Sequence, residues 1–205
     1  MSFGEVASSA IKYAREGITV HPTMSKFLSR YQENYRMWPS NSNIWQKNGH
    51  PLEVGDLLIQ TDLAASIQFM ADQEAAAMKD GREKGLQAAR DAFYVGDIAS
   101  KIVKYHKENG GLMTADDMAS YRTPIEKPLS ISFRGTEVYS CRPWCQGPVL
   151  LQMLNILNDI DLNAMGHNSA DYIHYLAETI KLSFADRERY YGDPNFIDVP
   201  IEKLL

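Results

Sequence analysis

Residues 169–200 read SADYIHYLAETIKLSFADRERYYGDPNFIDVP and predict a long amphipathic helix with a sharp end. Ser169 is a good N-cap, and Asp171 lies in the first turn, where the helix dipole favours an acid. Gly192, followed by Asp193-Pro194, predicts a left-handed cap, because Gly adopts that conformation freely and Pro cannot continue a helix. Apolar residues at spacings of three and four predict one buried stripe: Ile173, Leu176, Ala177, Ile180, Phe184 and Ala185.

Helical spacing and capping residues recur through the rest of the chain, so the predicted fold class is mostly α with short β-strands. Six more helices are predicted: 6–16 ending at Gly17, one capped by Thr23, one capped by Thr61, 97–108, 114–121 with a capping box, and one beginning at Gly147. β-forming residues predict two strands, 129–133 and 136–140, joined at Arg134-Gly135, and Asn48-Gly49 predicts a small hairpin. Residues 71–90 are rich in Ala, Glu, Lys and Gln, which predicts an exposed helix interrupted near Gly81 and Gly85.

Composition narrows the classes of partner. The chain has 205 residues, 44% of them hydrophobic, and a formal net charge of −5 without a basic block. This pattern argues against nucleic acid as the partner. No apolar run approaches the roughly 18 residues that a membrane-spanning helix needs. We therefore expect a chain without a membrane span.

No residue pattern points to a metal or cofactor. The five histidines are scattered, and His174 with Glu178 on one helix face is not a His-Glu-x-x-His motif. Cys141 and Cys145 form a single C-x-x-x-C pair, which we interpret as two reduced cysteines in a loop rather than a metal or redox pair. Gly110-Gly111 is interpreted as a helix cap rather than a nucleotide loop. We expect no cofactor and no metal.

A series of short motifs, in order along nearly the whole chain, resembles the large subunit of the γ-glutamyltranspeptidase family, which includes cephalosporin-acylase-like members. The motifs are Ala10–Gly17, Gly55-Asp56 through Leu63-Ala64, Phe93–Ala99, Gly110–Thr114, Phe133-Arg134-Gly135, Leu154–Leu157, Ala185-Asp186-Arg187, Tyr191–Phe196 and Val199-Pro200.

The resemblance implies a four-layer αββα sandwich of the N-terminal nucleophile hydrolases, of which this chain is a fragment. In that family a proenzyme cuts itself, and the newly exposed Thr of the small subunit attacks a γ-glutamyl carbonyl with its own amine as base. The resemblance places that Thr downstream of the region matching Leu205, and the carboxylate-binding arginine upstream of Phe3. We therefore assign no catalytic residue in this chain and expect it to be inactive alone.

The resemblance also sets the expected partners and organisation. The full enzyme would act on a small γ-glutamyl or related amide, and the large subunit would bind the small catalytic subunit of the same precursor. Residues 1–205 are predicted to form a single region, with a helical insertion at 71–91. Apolar surface left uncovered predicts self-association, which a monomer in light scattering would contradict. The compartment is not predicted.

Two residues are candidates for substrate contact. Trp144 and Gln146 lie in a Pro- and Gly-fixed loop where glutathione-processing members have a loop near the active cleft. The pair Gln146-Gly147 is similar to the acylase-like branch. Two alternatives therefore stay open: an acylase acting on a different side-chain amide, and a non-catalytic helical scaffold or binding module. Asp186 or Arg187 is expected to be paired and partly buried against the Asp193-Pro194 turn.

Overall fold

A computed structural model describes residues Met1–Leu205, and it is mostly helical with three short antiparallel strand pairs. None of its helices is both long enough and apolar enough to span a bilayer. The helices are α1 Phe3–Glu16, α2 Pro22–Arg30, α3 Gln32–Arg36, α4 Pro39–Trp45, α5 Thr61–Ala77, α6 Arg82–Tyr94, α7 Asp97–Glu108, α8 Ala115–Ser120, α9 Gly147–Leu157, α10 Leu162–Met165, α11 Ala170–Tyr190 and α12 Ile201–Leu204, with a 3₁₀ turn at Met78–Asp80. The strands are β1 Ile18–Thr19, β2 Gln46–Lys47, β3 His50–Pro51, β4 Leu57–Leu58, β5 Leu129–Phe133 and β6 Thr136–Ser140.

The chain divides into two compact units, Met1–Arg122 and Thr123–Leu205. In the first unit α5 packs against α1 and α6, and α6 packs against α7. The buried residues of these helices are mostly small, which allows the helix axes to approach closely: Ala64, Ala71, Gly85, Ala89, Ala92 and Ala99.

A small apolar core lies beside this helical layer. Val20, Leu28, Leu52 and Leu58 form one buried cluster, and Trp45 packs against it. β1 and β4 pair in antiparallel fashion within this region. The predicted hairpin is confirmed as the β2–β3 pair, whose turn residues Asn48 and Gly49 both have positive φ, as a type I′ turn requires.

Some of the local capping predictions are confirmed and others are wrong. Ser2 caps α1 with a capping box that sequence analysis had not identified, whereas the predicted box of Thr114 with Asp117 and the predicted cap at Ser169 are both present. Two predictions were wrong. His21 rather than Thr23 caps α2, because the Nδ1 atom of His21 accepts from the Met24 amide. Thr61 is the first residue of α5, not its cap.

Residues 71–91 are helical, but they are less exposed than predicted. α5 ends at Ala77, and the 3₁₀ turn Met78–Asp80 and Gly81, where φ is 110°, separate it from α6. Gly85 lies inside α6 with its backbone against Met78. Glu74 retains only 2% of its surface exposed. Its two carboxylate oxygens accept from the Phe3 and Gly4 amides at 2.8 and 2.9 Å. The segment therefore stabilises the first turn of α1, because these amides have no partner within the helix and carry the positive end of its dipole.

The second unit consists of the predicted β5–β6 hairpin and the helices that follow it. β5 and β6 pair from Leu129 with Ser140 to Phe133 with Thr136, as predicted. α9 packs against this hairpin, and α11 packs against α9.

The predicted buried stripe of α11 was wrong. Ile173 is 54% exposed and Ile180 is 46% exposed, whereas Thr179 and Ser183 are buried. Small side chains permit close packing against α9, and the largest side chains of the predicted stripe are left about half exposed. Gly192 also differs from the prediction: α11 ends at Tyr190 without a left-handed glycine, and a Cβ at Gly192 would lie 2.7 Å from the Cδ1 atom of Ile197.

We predict that Glu74→Ala lowers the free energy of unfolding by about 2 kcal/mol, because two helix-terminal amides lose a charged acceptor. Glu74→Gln should cost about half as much, since one amide oxygen remains. Urea denaturation followed by circular dichroism measures both. The matched control is Glu83→Ala, an exposed glutamate in the first turn of α6. Equal losses at positions 74 and 83 would contradict the capping role.

Candidate functional site

A rigid loop between β6 and α9 carries both residues predicted to contact substrate. The Cys145 amide donates to the Arg142 carbonyl at 3.0 Å, which closes a turn. Pro143 within the turn and Pro148 three residues after it are both buried. Gly147 lies so close to the preceding strand that a Cβ there would be 2.2 Å from the Cys141 carbonyl oxygen. Only glycine permits this approach.

Trp144 and Gln146 both project from this loop. The indole of Trp144 is anchored at its edge, because Nε1 donates to a Glu126 carboxylate oxygen at 2.7 Å, yet the residue is 56% exposed. Gln146 is exposed and precedes α9 as its N-cap, but its side chain does not bond to the helix amides. One aromatic face and one amide are therefore available to a ligand.

These two residues line a shallow cleft of about 220 Å³ together with the end of α11. The structure thus brings the predicted pair together with Arg187 and Tyr191, which belong to the motifs that carried the family resemblance. Larger grooves exist in each unit, but they include neither Trp144 nor Gln146.

A buried amide links the two helices that form the cleft. Gln152 of α9 is 6% exposed. Its Nε2 donates to Asp186 Oδ2 at 2.6 Å, and its Oε1 accepts from the Tyr191 hydroxyl at 3.0 Å. Both the NH₂ group and the oxygen of the amide therefore have hydrogen-bond partners, as buried polar groups require.

The surroundings of Tyr191 favour the neutral form of its phenol. Burial, and secondarily the negative charge of Asp186, raises the pKa of Tyr191 from 10.0 to about 12. A group whose folded pKa is raised stabilises the fold fully below its unfolded pKa and loses that contribution as the pH rises through the folded pKa. The contribution of the Tyr191 phenol is thus present at neutral pH and lost between pH 10 and about 12.

Asp186 and Arg187 are neither fully solvated nor bound to the predicted turn. The expectation that one of them is paired and partly buried is confirmed for Asp186, although its partner is Gln152 rather than the Asp193-Pro194 turn. The Arg187 guanidinium stacks over Phe184, 5.2 Å from the ring centroid, and pairs with Glu188. Because its side chain is 32% exposed at the cleft, Arg187 could contact an anionic ligand.

The cleft has the groups of a binding surface. The chain contains no cluster of three or more His, Cys, Asp or Glu side chains that could hold a metal ion. Within the cleft the side chains can present an aromatic face, an amide and a guanidinium. Sequence reasoning missed Gln152, although a glutamine within the apolar run PVLLQMLNIL was a usable signal, because a polar residue there must be paired when buried.

The chain is similar over its whole length to a segment of glutathione hydrolase and acylase proenzymes, which defines its class. The Gamma-glutamyltranspeptidase family model matches residues 1–205, so the chain belongs to that family.

Two curated relatives illustrate the range of the family. The chain is 35% identical to the glutathione hydrolase proenzyme of Escherichia coli K12 and 32% identical to the acylase ACY 1 proenzyme of Pseudomonas sp. SE83. Both alignments cover 100% of this chain, but only 33% and 34% of the relatives. The chain therefore spans about a third of the length of the curated relatives that it matches.

Solved structures agree with this assignment. The γ-glutamyltranspeptidase of Helicobacter pylori superposes with a TM-score of 0.86 at 30% identity, over 100% of this chain and 55% of that one. The cephalosporin acylase of Bacillus halodurans superposes with a TM-score of 0.84 at 26% identity, over 100% of this chain and 36% of that one. The predicted family is thereby confirmed.

We predict that Gln152→Ala lowers the free energy of unfolding by about 3 kcal/mol, because it leaves Asp186 and Tyr191 without their shared partner. Tyr191→Phe removes one of the two bonds and should cost about 1 kcal/mol. Chemical denaturation gives both values. Gln87→Ala is the control, since Gln87 donates to Asp91 at 2.7 Å on an exposed helix face and should contribute less than about 0.5 kcal/mol. A loss at Gln152 no larger than at Gln87 would contradict the linking role.

Proposed function

We propose that the protein containing this chain is a γ-glutamyl amide hydrolase or transferase, and that this chain belongs to its large subunit. Membership of the family over residues 1–205 carries the proposal. Catalysis would come from the N-terminal Thr of a small subunit released by autoprocessing, whose free amine serves as its base. The described cleft, with groups for binding and none assigned to catalysis, is consistent with a chain that supplies scaffold and substrate contacts.

The parent fold in this proposal is the αββα sandwich, to which this chain contributes helices and short strands. The uncovered apolar side chains of α11 support the proposal, because a helix stripe of this kind requires a partner surface. Ile173 and Ile180 would pack against the remainder of the same precursor, and Phe184, which is 43% exposed, would extend that contact. Separated from that remainder, the chain would self-associate.

Trp144 and Gln146 are proposed to contact the substrate. The 2.7 Å hydrogen bond from Trp144 Nε1 to Glu126 holds the edge of the indole ring. The face of the ring remains open to a ligand. Gln146 can donate to a carbonyl and accept from an amine or amide of the substrate. Both side chains are held by the same glycine-dependent turn, so their separation is set before a substrate binds.

A second candidate is an acylase acting on a different side-chain amide. The observation that favours it is the Gln146-Gly147 pair at the loop, together with 32% identity to an acylase proenzyme. The two candidates share the nucleophile and differ in the acyl group that the cleft accepts. A glutaryl amide lacks only the α-amino group of a γ-glutamyl amide. Comparing the rates on these two substrates therefore distinguishes the two candidate functions.

The full-length processed protein should release the dye from a γ-glutamyl anilide, whereas residues 1–205 alone should give only the background rate and should self-associate in light scattering. The reason is that the nucleophile lies outside this chain. Turnover by the isolated chain would contradict the proposal. Preference of the full protein for a glutaryl anilide would favour the acylase, and activity on neither substrate despite correct folding would favour a non-catalytic module.

Gln146→Ala in the full protein should raise KM about fivefold with little change in kcat, because one hydrogen bond worth about 1 kcal/mol is lost in the bound state. Trp144→Ala should raise KM at least as much. Trp38→Ala is the matched control, since Trp38 is similarly exposed at 43% but belongs to the first unit. Steady-state kinetics distinguish these outcomes, and an unchanged KM in both loop variants would remove Trp144 and Gln146 from the site.

A further inference from the structure

The turn at the start of α9 brings the two cysteines of the chain close together. In an extended segment, Cα atoms four residues apart would be separated by ~13 Å, which is too far for a disulfide. The hydrogen bond from the Cys145 amide to the Arg142 carbonyl, at 3.0 Å, folds this segment back. The sequence spacing alone did not reveal this.

Gly147 holds the folded segment against Cys141. Its hydrogen occupies a position where a Cβ would lie 2.8 Å from the Cys141 amide nitrogen. Cys145 is only two residues from this contact, and its thiol lies within hydrogen-bonding reach of the Cys141 thiol. Since Pro143 and Pro148 are both buried, the turn has little freedom to open.

The surroundings of Cys145 favour its thiolate. The neighbouring Cys141 thiol, followed by the backbone N–H groups of Gln146 and Gly147, lowers the pKa of the Cys145 thiol. Those amides lie at the N-terminus of the eleven-residue helix α9, where the helix dipole also favours a negative charge. Cys145 is half-buried in the cleft, while Cys141 is exposed.

We propose that Cys141 and Cys145 form a redox-active dithiol that is oxidised by low-molecular-weight disulfides. The Cys145 thiolate attacks one sulfur of the small disulfide, whose S–S bond breaks and releases one thiolate that takes up a proton. Cys141 then loses its proton and attacks the Cys145 Sγ atom, releasing the second small thiol. The cysteine pair loses two electrons, and the small disulfide is reduced to two thiols.

The disulfide would close a short loop that contains Trp144 and ends one residue before Gln146. Oxidation would therefore stiffen the wall of the cleft that carries both residues. This inference does not depend on the proposed amide chemistry, because it uses only the two thiols and their turn.

The test treats the full-length protein with 2-hydroxyethyl disulfide, which contains no γ-glutamyl amide and so cannot be a substrate. Arg142 is followed by Pro143, so trypsin leaves both cysteines in one peptide, residues 135–181. Mass spectrometry should show this peptide lighter by two hydrogens. Cys141→Ser should instead accumulate the hydroxyethylthio adduct on Cys145, and Cys145→Ser should react several-fold more slowly.

Two outcomes would overturn the proposal. A wild-type peptide that keeps the adduct would show that the thiols do not meet, and equal rates for the two serine variants would show that Cys145 is not the attacking thiol. Alkylating the wild-type protein with less than one equivalent of reagent shows which thiol is more reactive without any substitution. Cys145 is expected to be alkylated before Cys141. In urea the difference between the two cysteines should disappear, since it depends on the folded turn.

Discussion

The buried amide of Gln152 is the interaction on which the candidate site depends. It donates to Asp186 and accepts from Tyr191, and the amide cannot be turned over without losing both bonds. This requirement fixes the position of α11 along α9 and thus places Arg187 opposite the loop that begins the same helix α9. The geometry of the cleft therefore follows from one polar side chain in a helix that is otherwise apolar on its buried face.

Glu74 has a comparable role in the first unit, where a carboxylate on α5 binds the first amides of α1. In both units, buried polar side chains specify how helices meet, while small residues such as Ala71 and Thr179 let them approach. Such contacts define a geometry well.

The parts of the fold that sequence predicted are those set by neighbouring residues. The cap at Ser169, the box of Thr114 with Asp117 and the β5–β6 turn depend on residues within a few positions of one another. The buried face of α11 and the burial of Glu74 depend on distant segments, and periodicity alone could not identify them. In the site, Trp144 and Gln146 were predicted, but their proximity to Arg187 required the tertiary packing of α11.

The uncovered stripe of α11 also bears on how the protein folds. Ile173, Ile180 and Phe184 are each about half exposed, and completing their burial would contribute about 1 kcal/mol each. Their sum is a sizeable share of the roughly 5–15 kcal/mol that stabilises a typical domain. The relatives are made as proenzymes, in which all segments belong to one polypeptide. Covalent linkage gives a covering segment a high effective concentration, so a segment of the same polypeptide would cover this helix stripe more readily than a separate chain would.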